Sequence, residues 1–115
     1  MDHPCLEFIG HTICFYVPRS KLGIIQPLCH DFFLSNYDAY TFEDSDIQGF
    51  WRRHPESPIF EDRNVKFVIA FQGQEKIDAF VGFLSKLCSM IGEECLYLTM
   101  GSRSWLVWAM PRAGL

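Results

Sequence analysis

The chain has 115 residues, which is enough for one domain with a hydrophobic core and too few for two. Hydrophobic residues make up 49% and aromatic residues 16%, and this composition excludes a disordered chain. A net charge of -4 disfavours binding to the phosphate backbone of nucleic acid or to anionic lipid. No apolar run reaches the roughly 18 residues of a membrane helix, and the acidic N-terminus lacks the cations of a secretory signal. We therefore expect one soluble, cytoplasmic domain over residues 1–115, without nucleic-acid or membrane partners.

The cysteines predict reduced thiols rather than a disulfide framework, because their number is odd and their spacing irregular. They are Cys5, Cys14, Cys29, Cys88 and Cys95. Short spacings to histidine, such as His11 with Cys14, do not repeat the paired pattern that builds a four-ligand zinc site. We expect no metal and no cofactor.

The first half of the chain predicts a strand followed by a helix. Residues 11–17 are β-branched, aromatic and uncharged, and Pro18 closes them. Apolar residues at helical spacing then predict a helix near 24–35. Pro27 is tolerated only in a first turn, so the helix is expected to start near Gln26.

The middle of the chain predicts a strand and a long loop. Residues 39–43 alternate aromatic with small or polar residues, as a strand with one wet face does. We expect an extension of this strand through 48–52 and then an exposed loop. The whole stretch 44–62 is charged and contains Pro55 and Pro58, so we expect it to be the most mobile part of the chain.

The second half carries the clearest patterns. Residues 64–72 are mostly β-branched and aromatic and predict the clearest strand in the chain, which Gly73 ends. An apolar stripe over 74–91 predicts a helix, and Gly92 stands where a helix-ending glycine belongs. Residues 93–99 alternate as a strand, and 105–108 predict an additional edge strand.

The predicted order is β-α-β-β-α-β with an extra C-terminal strand, which is the ferredoxin-like α+β two-layer sandwich. The most apolar strands, 11–17 and 64–72, are expected at the centre of the sheet. Two helices cover one face and leave the other open. Because the open face must carry several aromatic residues, we expect burial against another subunit, in a homo-oligomer that is a dimer or a trimer.

A resemblance begins between the second and third strands. The segments Gln48-Gly49-Phe50-Trp51-Arg52, Ile59-Phe60-Glu61 and Asn64-Val65-Lys66-Phe67 form a long hairpin loop introduced by a Gly-aromatic-x-Arg step. Such a loop is similar to that of the PII-like and CutA-like ferredoxin-fold proteins. It also resembles an uncharacterised bacterial family with a Gly-x-Trp step before the third strand. In that family the fourth strand opens with Gln-Glu or a similar pair before a hydrophobic run, and Gly92-Glu93-Glu94-Cys95-Leu96 fits this pattern loosely.

The PII-like resemblance implies a trimer with ligand pockets between subunits and a moving, partner-contacting loop. One departure concerns nucleotides. PII-like proteins hold nucleotide phosphates on a basic, glycine-rich turn, whereas Gln72-Gly73-Gln74 offers one glycine and Lys76 is its only nearby cation. The resemblance therefore does not extend to nucleotide binding.

The loop carries the only concentrated positive charge in the sequence and is the predicted binding site. Arginine guanidinium groups form paired hydrogen bonds to carboxylates and phosphates. The site would therefore bind a small anionic ligand or a protein partner. Its candidate residues are Gln48, Gly49, Trp51, Arg52, Arg53 and His54. The alternative is a solvated loop whose opposite charges neutralise each other.

Three functions are compatible with these features. The preferred hypothesis is a non-enzymatic, homo-oligomeric binding or regulatory module that uses the loop between strands 2 and 3. The alternative is a small cofactor-free enzyme of the dimeric α+β barrel type, with His11, His30 or Tyr97 handling protons. A third hypothesis is a purely structural subunit of a larger assembly.

Overall fold

A computed structural model describes residues 2–110 and contains two α-helices and five strands in the predicted order. The elements, with a short 3-10 helix before α1, are β1 (His11–Pro18), Arg19–Lys21, α1 (Leu22–Asn36), β2 (Thr41–Trp51), β3 (Phe60–Phe71), α2 (Gln74–Ile91), β4 (Cys95–Met100) and β5 (Arg103–Trp108). Neither α-helix in the described residues is long and apolar enough to cross a membrane.

The five strands form one antiparallel sheet in the order β2-β3-β1-β4-β5. The predicted central strands are β1 and β3, and both lie inside the sheet. The extra strand β5 pairs with β4 at one edge. Both helices pack on one face, so the fold is a ferredoxin-like α+β sandwich with an added C-terminal strand, as predicted.

Alternation along the strands directs one set of side chains towards the helices. Phe15 of β1 and Phe67 of β3 are fully buried on that face, where Phe33 of α1 and Phe80 of α2 meet them. Burial of such rings contributes roughly 1.5–3 kcal/mol each. The aromatic content of the chain therefore supplies the core between sheet and helices.

Helix α1 begins earlier than the sequence predicts. It starts at Leu22, so Pro27 lies inside the helix rather than in its first turn. Proline removes the hydrogen bond to the carbonyl four residues earlier, which is that of Gly23. Both Gly23 and Pro27 are exposed, so water can satisfy the freed carbonyl and the ring meets no neighbouring element. Burial of Ile25 then stabilises the helix across this position.

The predicted extension of the second strand through 48–52 is confirmed as far as Trp51, whereas the exposed loop expected after it is shorter than predicted. β2 continues to Trp51 and β3 begins at Phe60, with register pairs from Ile47↔Asn64 to Trp51↔Phe60. A bulge between Glu43 and Ile47 interrupts the pairing at the base. Only residues 52–59 form a connection. We refer to the two-stranded segment over 47–63, including this connection, as the arm.

Candidate functional site

The face of the sheet opposite the helices carries a tyrosine pair. Tyr16 of β1 and Tyr97 of β4 stack with ring centroids 5.5 Å apart and planes 28° from parallel. The Tyr97 hydroxyl lies 2.9 Å from the Ser104 hydroxyl of β5, which holds the ring in place. Neighbouring side chains on this face include Lys66 and Leu106, by register with Tyr16 and Tyr97. The pair is a flat aromatic surface on which a ring can stack.

A cleft of about 400 Å³ lies between this face and the arm. Such a volume is within the range of roughly 300–1,000 Å³ that is usual for small-molecule sites. Three chain segments build its walls: the end of β1 with the turn after it, the base of the arm, and the start of β4. The lining residues are Tyr16, Pro18, Ser20, Glu61, Asp62, Arg63, Asn64, Glu93, Cys95, Leu96 and Tyr97.

The charged side chains that line the cleft are mostly acidic, with Glu61, Asp62 and Glu93 against the single cation Arg63. Arg63 is paired with Glu61 at 3.0 Å and also with an acid in β2, and Lys21 is paired with Glu93 at 2.8 Å. Asp62 accepts a hydrogen bond from the Trp51 indole nitrogen at 2.7 Å but has no ion-pair partner within residues 2–110. The acidic side chains that line the cleft outnumber its cations, so the cleft favours a cationic ligand.

The thiol in the cleft is poorly suited to act as a nucleophile. Burial raises the pKa of Cys95, and the nearby carboxylates of Glu94 and Glu93 raise it further. A thiol must ionise to attack. The cleft therefore keeps Cys95 neutral near pH 7, which disfavours covalent catalysis through it.

The six residues of the predicted binding site all belong to the arm, and none of them lines the cleft. Gln48, Gly49 and Trp51 are in β2, where Trp51 stacks on Phe60 at 4.9 Å. Arg52, Arg53 and His54 open the connection between the strands. Their role in binding stays a prediction.

Two of these cations differ in their contacts. Arg53 donates to both carboxylate oxygens of Glu94, at 3.2 and 2.5 Å, whereas the side chain of Arg52 makes neither a hydrogen bond nor an ion pair among residues 2–110. The cleft residues Tyr16 and Asp62 are not among the site residues predicted from the sequence. Alternation in the first strand carried a signal for Tyr16, because a residue between buried Phe15 and Val17 must point to the open face.

The proton-handling candidates are not brought together. Tyr97 lines the cleft. His11 is at the far end of β1, with its ring 5.9 Å from that of Phe8, and His30 on α1 shares a 2.8 Å hydrogen bond with the Tyr40 hydroxyl. Within residues 2–110, no group of three His, Cys, Asp or Glu could hold a metal ion.

No family model and no curated protein matches the chain. Two similar solved structures cover nearly its whole length. A phage SAM lyase in complex with S-methyl-5'-thioadenosine is 9% identical, with 95% of this chain and 97% of that chain covered and a TM-score of 0.64. A phage SAM lyase in the apo state is 12% identical, with 96% and 98% covered and a TM-score of 0.60. At these identities the likeness shows a common α+β fold, and the resemblance to PII-like and CutA-like proteins stays a prediction.

Proposed function

We propose that this chain is a small cofactor-free enzyme that cleaves a cationic sulfonium nucleoside of the S-adenosylmethionine class in the cleft beneath the arm. The observation that carries the proposal is the pairing of a negative cleft with two stacked tyrosines. Asp62 lacks a cationic partner among residues 2–110, and Tyr16 and Tyr97 present their rings beside it. A sulfonium nucleoside needs both features, because it joins a positive sulfur to a flat purine.

The fold comparison supports the choice of substrate class. The structural neighbours are phage SAM lyases, and one of them holds S-methyl-5'-thioadenosine. Release of that thioether from S-adenosylmethionine breaks the bond between sulfur and the amino-acid chain, and both electrons stay on sulfur. The carbon that loses sulfur is then captured by the carboxylate of the same amino-acid chain, so that a C–O bond replaces the C–S bond, because a lyase adds no water.

Such a reaction needs no nucleophile from the protein. A positive sulfur is already a good leaving group, so the residues of the cleft have to bind and orient the substrate and exclude water. The neutral thiol of Cys95 is consistent with this division of work. The arm is suited to exclude water, because its base forms one wall of the cleft.

A second candidate function is the non-enzymatic binding module. The arm favours it, because Phe50, Trp51, Ile59 and Phe60 are all exposed there. In this function, a homo-oligomer would hold its ligand or partner on the arm, with Arg52 and His54 available to an anion. Binding without turnover would separate this module from the enzyme.

Incubation of the purified chain with S-adenosylmethionine, with the products separated by chromatography, tests the proposal. We expect S-methyl-5'-thioadenosine to accumulate in proportion to protein concentration. Asp62→Asn should weaken substrate binding about tenfold, since unit charges 4 Å apart near a protein surface interact by ~1–4 kcal/mol. Asp78→Asn on α2 is the matched control, because that exposed carboxylate lies outside the cleft and accepts one hydrogen bond, from Gln74. Failure of the chain to bind or cleave the compound would refute the enzyme.

A further inference from the structure

The arm depends on few contacts outside itself. Its residues 48–51 and 60–63 pair with each other, and Ile47 pairs with Asn64, where the pairing of β3 with β1 begins. No residue of the arm is buried. A two-stranded ribbon alone is marginally stable in water. Contacts between the arm and the body of the domain therefore decide where the arm lies.

One ion pair joins the far end of the arm to the body. The guanidinium of Arg53 and the carboxylate of Glu94 form a two-pronged contact between residues 41 positions apart. Glu94 directly precedes β4, and its neighbours Glu93 and Cys95 line the cleft, as do residues 61–64 at the base of the arm. The ion pair thus connects the two opposite walls of the cleft.

We infer that Arg53 and Glu94 form a latch, which closes the arm over the cleft and opens to admit and release the ligand. The inference rests on the proposed function for the place of the ligand. The latch itself rests on the geometry of the arm.

The strength of the contact suits a latch that opens readily. The side chains of Arg53 and Glu94 are 61% and 45% exposed. Exposed ion pairs shift an equilibrium by roughly two- to fivefold, so the closed position is favoured without being locked. Added salt weakens such pairs, and it should therefore open the arm.

The rest of the arm is held together by contacts of its own, and its base is interrupted. Trp51 stacks on Phe60 and donates to Asp62, and these contacts lie wholly within the arm. The bulge between Glu43 and Ile47 breaks the ladder at the base, where bending costs least. Once its far end is released, the ribbon bends at this interrupted base and its own strand pairing weakens, because an unsupported two-stranded ribbon is only marginally stable in water.

Charge reversal on each side of the latch tests the inference. Arg53→Glu and Glu94→Arg should each raise the hydrogen-exchange rates of the amides in 47–51 and 60–63 by roughly two- to fivefold. The double variant should restore the wild-type rates, because the pair is rebuilt in reverse. Arg52→Glu is the matched control: it makes the same charge change one residue away, at a side chain without a partner in residues 2–110.

The two proposals fail in different ways. The latch is overturned if the arm amides exchange no faster in Arg53→Glu than in Arg52→Glu. It is also overturned if these amides exchange as fast in the double variant as in the single variants. Its gating role is overturned if the latch variants open the arm but leave the association rate of S-adenosylmethionine unchanged in stopped flow. Absence of any binding to S-adenosylmethionine refutes the proposed substrate, and the exchange rates still decide whether the ion pair holds the arm.

Discussion

Phe15 and Phe67 face each other across the two central strands, with ring centroids 5.1 Å apart and planes 9° from parallel. Both rings are fully buried, and Phe33 and Phe80 meet Phe15 edge-on at 5.7 and 5.6 Å. Phe15→Ala should therefore leave a cavity where both helices meet the sheet. We expect it to lower the free energy of unfolding by about 3–5 kcal/mol in urea titration.

Phe50→Ala is the control for that substitution. Phe50 is 64% exposed on the arm, so its removal should change the free energy of unfolding by no more than about 0.5 kcal/mol. Equal losses from the two variants would mean that the aromatic cluster is not the core of the domain.

The buried thiols predict a loss of stability at high pH. Burial raises the pKa of Cys29 and, as the largest effect, that of Cys88, each from 9.0 to about 12. Above pH 9 the unfolded chain releases these protons while the folded chain retains them, so unfolding becomes more favourable as pH rises. Each thiol should lower the free energy of unfolding by up to about 1.4 kcal/mol per pH unit between 9 and 12.

Urea titrations at several pH values between 8 and 11 measure this slope. Cys29→Ala should reduce the slope while it also lowers stability at pH 8 through lost packing. Cys5→Ala is the matched control, because that cysteine is exposed and its removal should leave the slope unchanged. A slope that does not respond to Cys29→Ala would show that other groups cause the alkaline loss.

Arg52 and Arg53 should be more important for binding than for stability. The double replacement with Ala should leave the melting temperature nearly unchanged, because the ion pair that it removes is exposed. If the predicted site on the arm is functional, the replacement should weaken binding by roughly 1.5–3 kcal/mol per lost charge-assisted hydrogen bond. Differential scanning fluorimetry measures the first quantity and calorimetric titration with a ligand found for the chain measures the second. A large fall in melting temperature would make these arginines structural.

The arm should show graded protection in hydrogen exchange. We expect residues 52–59 to exchange first, the paired residues 47–51 and 60–63 next, and 65–71 last, because only the last range has alternate side chains buried. If the paired residues of the arm were as protected as 65–71, the arm would be packed structure with no freedom to open.

The open face of the sheet predicts self-association. Sedimentation at micromolar concentration should report a dimer or a trimer, because Leu106 and Tyr97 are half exposed there and the helices lie on the other face. Leu106→Lys should shift the population towards monomer. Ile24→Lys is the matched control, since Ile24 is 59% exposed on the helical layer. A wild-type monomer, or equal effects of the two substitutions, would contradict association through this face.

Local sequence patterns were enough to predict the helices and strands that depend mainly on the residues of their own segment. The boundaries of α2 agree with the prediction at both ends, because its apolar stripe runs to Ile91 and Gly92 adopts the left-handed conformation that ends a helix, with φ 74°. Strand β1 and the buried part of β3 were evident from mostly apolar runs, although β3 begins at Phe60, four residues before the predicted start. Their place inside the sheet followed from the need of such runs to be buried on both sides.

The tertiary structure alone decided the second strand of the arm and the cleft. A run of charged residues with two prolines has the composition of a loop, yet Trp51 and Phe60 pair across eight intervening residues and turn it into a ribbon. Asp62 and Tyr97 reach one cleft because β3 and β4 flank β1 in the sheet, and the base of the arm lines the same cleft as the end of β1. Sequence periodicity reports which face a side chain takes. It does not report which distant strand lies beside it, because strand pairing depends on contacts between residues far apart in the chain.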